Sequence, residues 1–575
     1  MRRDAPAKPR MNQAPAEPPL RSRLHVPPVG QGRTSRIGAL PSAWRVQPAR
    51  NITAGALAAI VSLPLAMGLG ALAVAPLGPA YAASGVLAGL YGAAFLGLIA
   101  VLAGARGVAI YAPRSLVSFM IAAVCADVIL PAGWLPKDEP RLVMAALFLM
   151  MAMAGLFQFL FGVLRLARLV KFIPTPVVAG FQNAASVIIT LSQLHVLLGL
   201  AERPSLAGWP AALADVRPLG AAIGIGTLAV VFLGHRITTR VPPLLLGLVA
   251  GTAAYYALSV AGLAPQLGGT LGTIPAAMPS GEEFAHVFVL ATLPGFVDAL
   301  PGLAVAAFSI ALVASLDLLI SAKAVETLSS VRGNSTRELL CIGTANTVAP
   351  LLGGLAGAIS LAPSIANYRN GARSSLSLFT HGALFLVMVP LAAPALGFLP
   401  KAVIAALVVH AGTQLFDRWT LQLLRRIFRR QTVNWDVIAV DVLVIVTVSA
   451  VALAGHVVAA VVLGVGIAIT MFTFRMSRGV IRSARLGTEV HSRRTWDAAS
   501  IAVLAKHGRR ILALELEGPM FFASAENLYN RVEDEVTAGV RYVILDFSRV
   551  NELDSSGARI LGQLLQGSPR FQCNK

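Results

Sequence analysis

The sequence predicts an all-α polytopic membrane domain of about fourteen transmembrane segments, followed by a small α/β domain. Three observations predict it. Of 575 residues, 56% are apolar and only 13% charged, roughly half the charged share of a soluble globular chain. The apolar residues gather in runs of bilayer-spanning length, and the mean hydropathy is +0.72. Charge returns in strength only after Arg475, where short β-type runs alternate with amphipathic helical ones. The formal net charge of +20 does not describe a nucleic-acid binder, because the basic residues punctuate apolar runs instead of lining a soluble face. Cys125, Cys341 and Cys573 lie far apart with no CxxC spacing, so neither a disulfide framework nor a metal site is implied, and no cofactor is expected.

Residues 1–50 are rich in Pro and Arg without an apolar period and read as a disordered, basic cytoplasmic tail. The tail lacks the short apolar core and small-residue cleavage site of a signal peptide, so the run from Thr53 reads as a retained span. Residues 51–475 form the membrane domain. Its segments centre near Leu63, Leu90, Phe119, Met150, Ile188, Leu228, Leu248, Leu312, Thr347, Tyr368, Leu386, Ala406, Val444 and Leu463. The third and tenth are short and broken by Pro and Gly. With a cytoplasmic N-terminus, the loops carrying Arg165 and Arg168, Arg236 and Arg240, Lys323 and Arg337, and Arg418 to Arg430 all lie inside. That asymmetry follows the positive-inside rule and predicts a multi-pass protein of the inner (plasma) membrane with both termini cytoplasmic. Residues 476–575 read as a linker and a partial α/β domain, with strands at Ile511–Leu516 and Tyr542–Phe547 and helices at Ala523–Val536 and Ser555–Leu565.

Two Ala-Pro sites read as helix starts, because Pro suits the first helical turn. They are Tyr111, Ala112, Pro113, Arg114 and Ser115 at the third segment, and Ser360, Leu361, Ala362, Pro363 and Ser364 at the tenth. Their spacing fits an inverted seven-plus-seven repeat, in which two half-helix N-termini present unpaired N–H groups to a substrate. Arg114 points to an anion: a cation at a positive dipole end is tolerated when a negative group lies between them. Otherwise Pro113 and Pro363 only kink continuous spans, and Arg114 lies at the membrane interface. Asp317 is the clearest intramembrane carboxylate, with Ser321 one turn on. It can hold a proton or a sodium ion and couple that ion to substrate movement, or it can pair structurally with Arg114 or Lys323.

These residues resemble the SulP (sulfate permease) family of anion transporters. The likeness rests on Ala54 to Pro64, Phe157 to Arg165, Phe172 to Phe181, Ser315 to Lys323, Gly353 to Asn367 with Gly371 to Arg373, and Leu415 to Asp417. The terminal region is similar to a STAS domain at Glu517 to Ala523 and Asp554 to Gly557. The resemblance implies an elevator-like anion carrier, commonly a homodimer, with its site between the third and tenth helices and a proton-linked acid at Asp317. It also implies a regulatory phosphorylation position at Ser556, although a Ser/Asp cap at a helix N-terminus is the stronger reading of those residues. The chain departs from the family at Pro363, where many members have Arg, at Arg114, often Thr or Phe, and at Leu65, often Gln. The STAS-like part ends early, so an exposed sheet edge is expected.

Secondary transport of a small anion is therefore the leading expectation, with sulfate the default and bicarbonate, chloride or a dicarboxylate such as fumarate the alternatives. A nucleobase permease would favour carboxylates over Arg114. No HExxH, GxSxG or paired metal-ligand spacing supports an enzyme, and His195, His381, His410 and His456 read as interfacial packing at segment ends. A non-transporting sensor acting through the STAS-like domain is the remaining class.

Overall fold

The structure, a computed structural model, describes residues 44, 47–78, 81–131, 133–135, 139–166, 175–200, 209–238, 241–272, 282–329, 333–429, 435–454, 456–477, 480–489, 496–520, 522–553 and 555–566. Most of the basic tail, part of the Phe172 motif and the last residues of the chain fall outside these.

Each of the expected segment centres falls in a helix. In chain order these are α1 (Pro48–Ala73), α2 (Ala82–Leu102), α3 (Ser115–Val124), α4 (Pro140–Val163), α5 (Thr175–Leu197), α6 (Pro218–Ile237), α7 (Pro243–Leu258) and α8 (Phe296–Ser329). They continue with α9 (Ser335–Leu351), α10 (Leu361–Arg369), α11 (Leu376–Leu396), α12 (Lys401–Thr413), α13 (Trp435–Leu453) and α14 (Val457–Ser477). Among the described residues, α1, α2, α4 to α8 and α11 make 8 helices long and apolar enough to cross a membrane. The short α3 and α10 start abruptly after the strands β1 (Tyr111–Pro113) and β2 (Gly357–Ile359); Pro363 stands in the first turn of α10, as expected, whereas Pro113 ends β1 ahead of the α3 N-cap at Arg114.

The helices sort into two packed groups. One joins α1 to α4 with α8 to α11, and its tightest seam runs between α4 and α9; the other joins α5, α6 and α7 with α12, α13 and α14. The α4–α9 seam exists because glycines let backbones touch. A Cβ on Gly155 would fall 2.2 Å from the Thr347 nitrogen, and one on Gly343 would fall 2.3 Å from the Phe159 nitrogen.

The C-terminal domain has β3 (Ile481–Leu486), α15 (Ala498–His507), β4 (Ile511–Met520), α16 (Phe522–Thr537), β5 (Tyr542–Leu553) and α17 (Ser555–Gln566). Strand β4 is central, antiparallel to β3 and parallel to β5. Leu512, Leu514 and Leu516 bury one face of β4 beneath Leu528, Val532 and Leu564 of the helices. Strand β5 is the other edge, and its Tyr542 and Ile544 are exposed.

Candidate functional site

The two half-helices grow from opposite ends of one ribbon. Strands β1 and β2 pair antiparallel, Tyr111 with Ile359 and Pro113 with Gly357. The Ser360 N–H extends the pairing to the Ile110 carbonyl (2.8 Å), and the Ile110 N–H donates to Ser364 Oγ (2.9 Å). That hydroxyl in turn donates to the Ser360 carbonyl (2.6 Å). Ser364, expected at the anion, is thus a staple between the two halves. No side chain caps either α3 or α10, so their first N–H groups remain available at the ribbon. Pro363 has none to offer, leaving Leu361 and Ala362 on that side. Ala362 is exposed, Ser115 and Leu361 are half-buried, and Ala112, Pro113, Ser360 and Pro363 are buried.

A second device holds β2 in place. Asn346 of α9 pairs edge to edge with the Gly357 peptide: the Gly357 N–H donates to Oδ1 (2.8 Å), and Nδ2 donates to the Gly357 carbonyl (2.9 Å). The same Nδ2 donates to Gln158 Oε1 (2.6 Å), and Gln158 Nε2 reaches Ser315 Oγ on α8 (3.4 Å). All three side chains are buried. Sequence reasoning missed Asn346, one of several polar residues of α9, whose partner Gly357 lies outside the helix. It also missed Glu338. The Tyr111 hydroxyl donates to the Glu338 carboxylate, and the Tyr111 side chain is buried.

Arg114 occupies the N-cap position of α3 with extended backbone (φ −125, ψ 140). Its Nε donates to Asp317 Oδ2 (2.8 Å), and its Nη2 donates to Asp317 Oδ1 (3.0 Å) and to Ser321 Oγ (3.1 Å). This is the bidentate fork that suits guanidinium and carboxylate. The Arg114 side chain is 21% exposed and Asp317 only 4%. Lys323, the other partner considered for Asp317, pairs instead with Glu326 (3.0 Å). Beside the pair, α3 and α8 face the second helix group across a small apolar cavity. Leu116, Leu312, Val313 and Leu316 line it on one side, and Val177, Val178, Phe181 and Val461 on the other.

Other expectations resolve differently. His381 is not at a segment end; it is buried within α11, with Nε2 on Ser62 Oγ (2.8 Å). That hydroxyl already donates to the Ala58 carbonyl (2.9 Å), so Nε2 carries the proton. Ser556 stands in the first turn of α17, but its side chain lies outside the described ones, as does Asp554. Among the described residues no cluster of His, Cys, Asp or Glu could hold a metal ion.

A two-group helical membrane domain whose short helices start at a paired ribbon is an architecture used by membrane transporters. The sequence profile of the Sulfate permease family matches residues 49–438, and that of the STAS domain matches 502–570. The chain belongs to the sulfate permease family, a family of anion transporters. It is 26% identical over 492 residues to the bicarbonate transporter BicA of Picosynechococcus sp., covering 83% of this chain and 79% of that one. It is 23% identical over 555 residues to the chloroplastic sulfate transporter 4.1 of Arabidopsis thaliana, covering 90% and 73%. The structure of murine solute carrier 26 family member A9, an anion transporter in the inward-facing state, superposes with a TM-score of 0.70 over 91% of this chain and 84% of that one. At 16% identity that likeness concerns the fold alone.

Proposed function

We propose that this protein carries a small oxyanion, sulfate by default, across the inner membrane in company with protons, and that the anion and the Asp317 carboxylate compete for Arg114. The observation that carries this reading is the closed Arg114–Asp317 fork at the mouth of α3. With Asp317 ionised, the pair is neutral and only the two half-helix ends, about half a charge each, favour an anion. Protonating Asp317 removes the competitor. The site then holds the Arg114 charge and the two helix ends, about two positive charges, which suits a dianion. Ser321 keeps the guanidinium oriented while its carboxylate partner leaves. Sodium is the weaker candidate for the coupling ion, because Arg114 already fills the cation position at Asp317.

Bicarbonate is the competing substrate, since the relation to BicA covers most of both chains. The carrier works as a homodimer with both termini cytoplasmic, the half-helix group moving against the other across the apolar lining. Ser556, at a helix start in the STAS domain, is a regulatory phosphorylation site.

The test is uptake of labelled sulfate, bicarbonate and fumarate by proteoliposomes under an inward proton gradient. Wild-type uptake of sulfate rises as external pH falls. Arg114→Ala abolishes it, and Asp317→Asn transports without pH dependence. Sulfate uptake indifferent to pH in wild type, or normal in Arg114→Ala, overturns the competition. A sodium requirement replaces the proton with sodium, and flux of no anion favours the sensor class.

A further inference from the structure

Between α12 and α13 runs a helix, Arg418–Phe428, that belongs to neither packed group. Its sequence is the most amphipathic of the molecule. At 100° per residue, Arg418, Gln422, Arg425, Arg426 and Arg429 share one arc, and Trp419, Leu421, Leu423, Leu424, Ile427 and Phe428 fill the other. In a soluble protein that apolar arc would be covered. Here Trp419 (38%), Leu421 (37%), Leu424 (39%) and Phe428 (83%) are exposed together.

The helix is nonetheless placed firmly at its start. Asp417 Oδ2 accepts from the Thr420 N–H (2.7 Å) and hydroxyl (2.8 Å). Asn183 of α5 then grips both residues: its Oδ1 accepts from the Asp417 N–H (2.9 Å), and its Nδ2 donates to Thr420 Oγ1 (3.1 Å). Asn183 is buried and lies two residues beyond Phe181, which lines the apolar cavity beside the Arg114 site.

We propose that the helix Arg418–Phe428 lies in the membrane interface and binds anionic phospholipid headgroups through its arginines. An exposed Trp-Leu-Leu-Phe face between two membrane helices matches the acyl boundary of a bilayer, where the Trp ring sits at headgroup level. The stretch 418–430 carries five arginines and no acidic residue, so the complementary surface is negative. A zwitterionic lipid would leave those charges unmatched, and a protein partner would need an acidic, apolar counter-face. Because the helix hangs from Asn183, bound lipid bears on α5 and through it on the lining opposite Arg114.

The experiment uses the full-length protein in vesicles of phosphatidylcholine with or without phosphatidylglycerol. The Trp419 signal is isolated as the difference between wild type and Trp419→Phe. Brominated phosphatidylglycerol, diluted in phosphatidylcholine, quenches that signal at lower mole fraction than brominated phosphatidylcholine does. The triple variant Arg425→Gln, Arg426→Gln, Arg429→Gln loses this preference by about tenfold or more, given the strength of each basic group near an anionic surface. The matching triple Lys variant keeps it, which separates charge from misfolding. Equal quenching by the two lipids, or a preference that survives the Gln variant, overturns the proposal. So does a Trp419 that neither lipid quenches while the Leu424→Cys variant cross-links to a second copy, since the face is then a protein interface.

Discussion

The interior of the helix group that carries Arg114 and the seam between the two groups are packed by different means. The group that carries Arg114 is stitched by buried polar side chains: Asn346 to Gly357, Gln158 to Ser315, Ser364 to Ile110, and Asn367 to the Val108 carbonyl (2.9 Å). Where α3 and α8 meet α5 and α14, the lining is Leu, Val and Phe alone. Lipid tails give helices no hydrophobic reason to associate, so hydrogen bonds and close glycine contacts specify one arrangement, whereas an apolar surface specifies none. The polar bonds fix one arrangement within their group, while the apolar lining offers nothing polar to fix a register. That division suits a carrier whose site moves as a unit.

The comparison is broken most severely by removing one charge of the ion pair. Arg114→Ala leaves the Asp317 carboxylate buried without its cation and should cost about 3 to 5 kcal/mol, read as a lowered Tm of the purified protein. The double variant Arg114→Ala, Asp317→Ala should regain most of that stability without regaining transport, which separates the fold's use of the pair from the carrier's. Next comes the clamp. Asn346→Leu strands the Gly357 N–H and carbonyl and the Gln158 amide, at about 2 to 3 kcal/mol, and flux should fall with it because β2 is freed. A variant as stable and as active as wild type would show that the polar stitching is incidental.

Much of this was legible in the sequence, because a bilayer leaves few options. Apolar runs of fixed length must be helices, and Ala-Pro at two places could start short ones, so α3, α10 and the positions of Arg114 and Asp317 followed from one-dimensional pattern. What was hidden is pairing. Asp317 had two cations within reach of a sequence argument, and only the placement of α3 beside α8 chooses Arg114 over Lys323. Asn346 and Glu338 gave no local signal, since their partners Gly357 and Tyr111 are joined to them by topology rather than by helical period. His381 was misjudged for a related reason: its sole hydrogen-bond partner among the described residues, Ser62, lies across a helix contact that no spacing reveals.

Smaller perturbations sharpen the contrast. On the apolar seam, Val178→Ala should cost about 1 kcal/mol or less, because the side chain already borders a cavity. Val178→Asn instead places a hydrogen-bonding group on that apolar lining and should slow maximal uptake while leaving the apparent substrate affinity near the wild-type value. Equal losses in both would mean that the residue serves binding rather than movement.

The smallest effect is expected at Lys323, six residues from Asp317 on the same helix. Its side chain is 75% exposed and its ammonium is bound to Glu326, a geometry that contributes under about 1 kcal/mol. Lys323→Gln should leave Tm within about half a degree to two degrees and leave the pH dependence of sulfate uptake unchanged. That result is informative because Lys323 and Arg114 were both candidates for the Asp317 counter-charge. If Lys323→Gln altered the pH profile as strongly as Arg114→Ala alters flux, the carboxylate would be shared between two cations during the cycle, and the fork would be one station of its movement rather than the resting competitor of the anion.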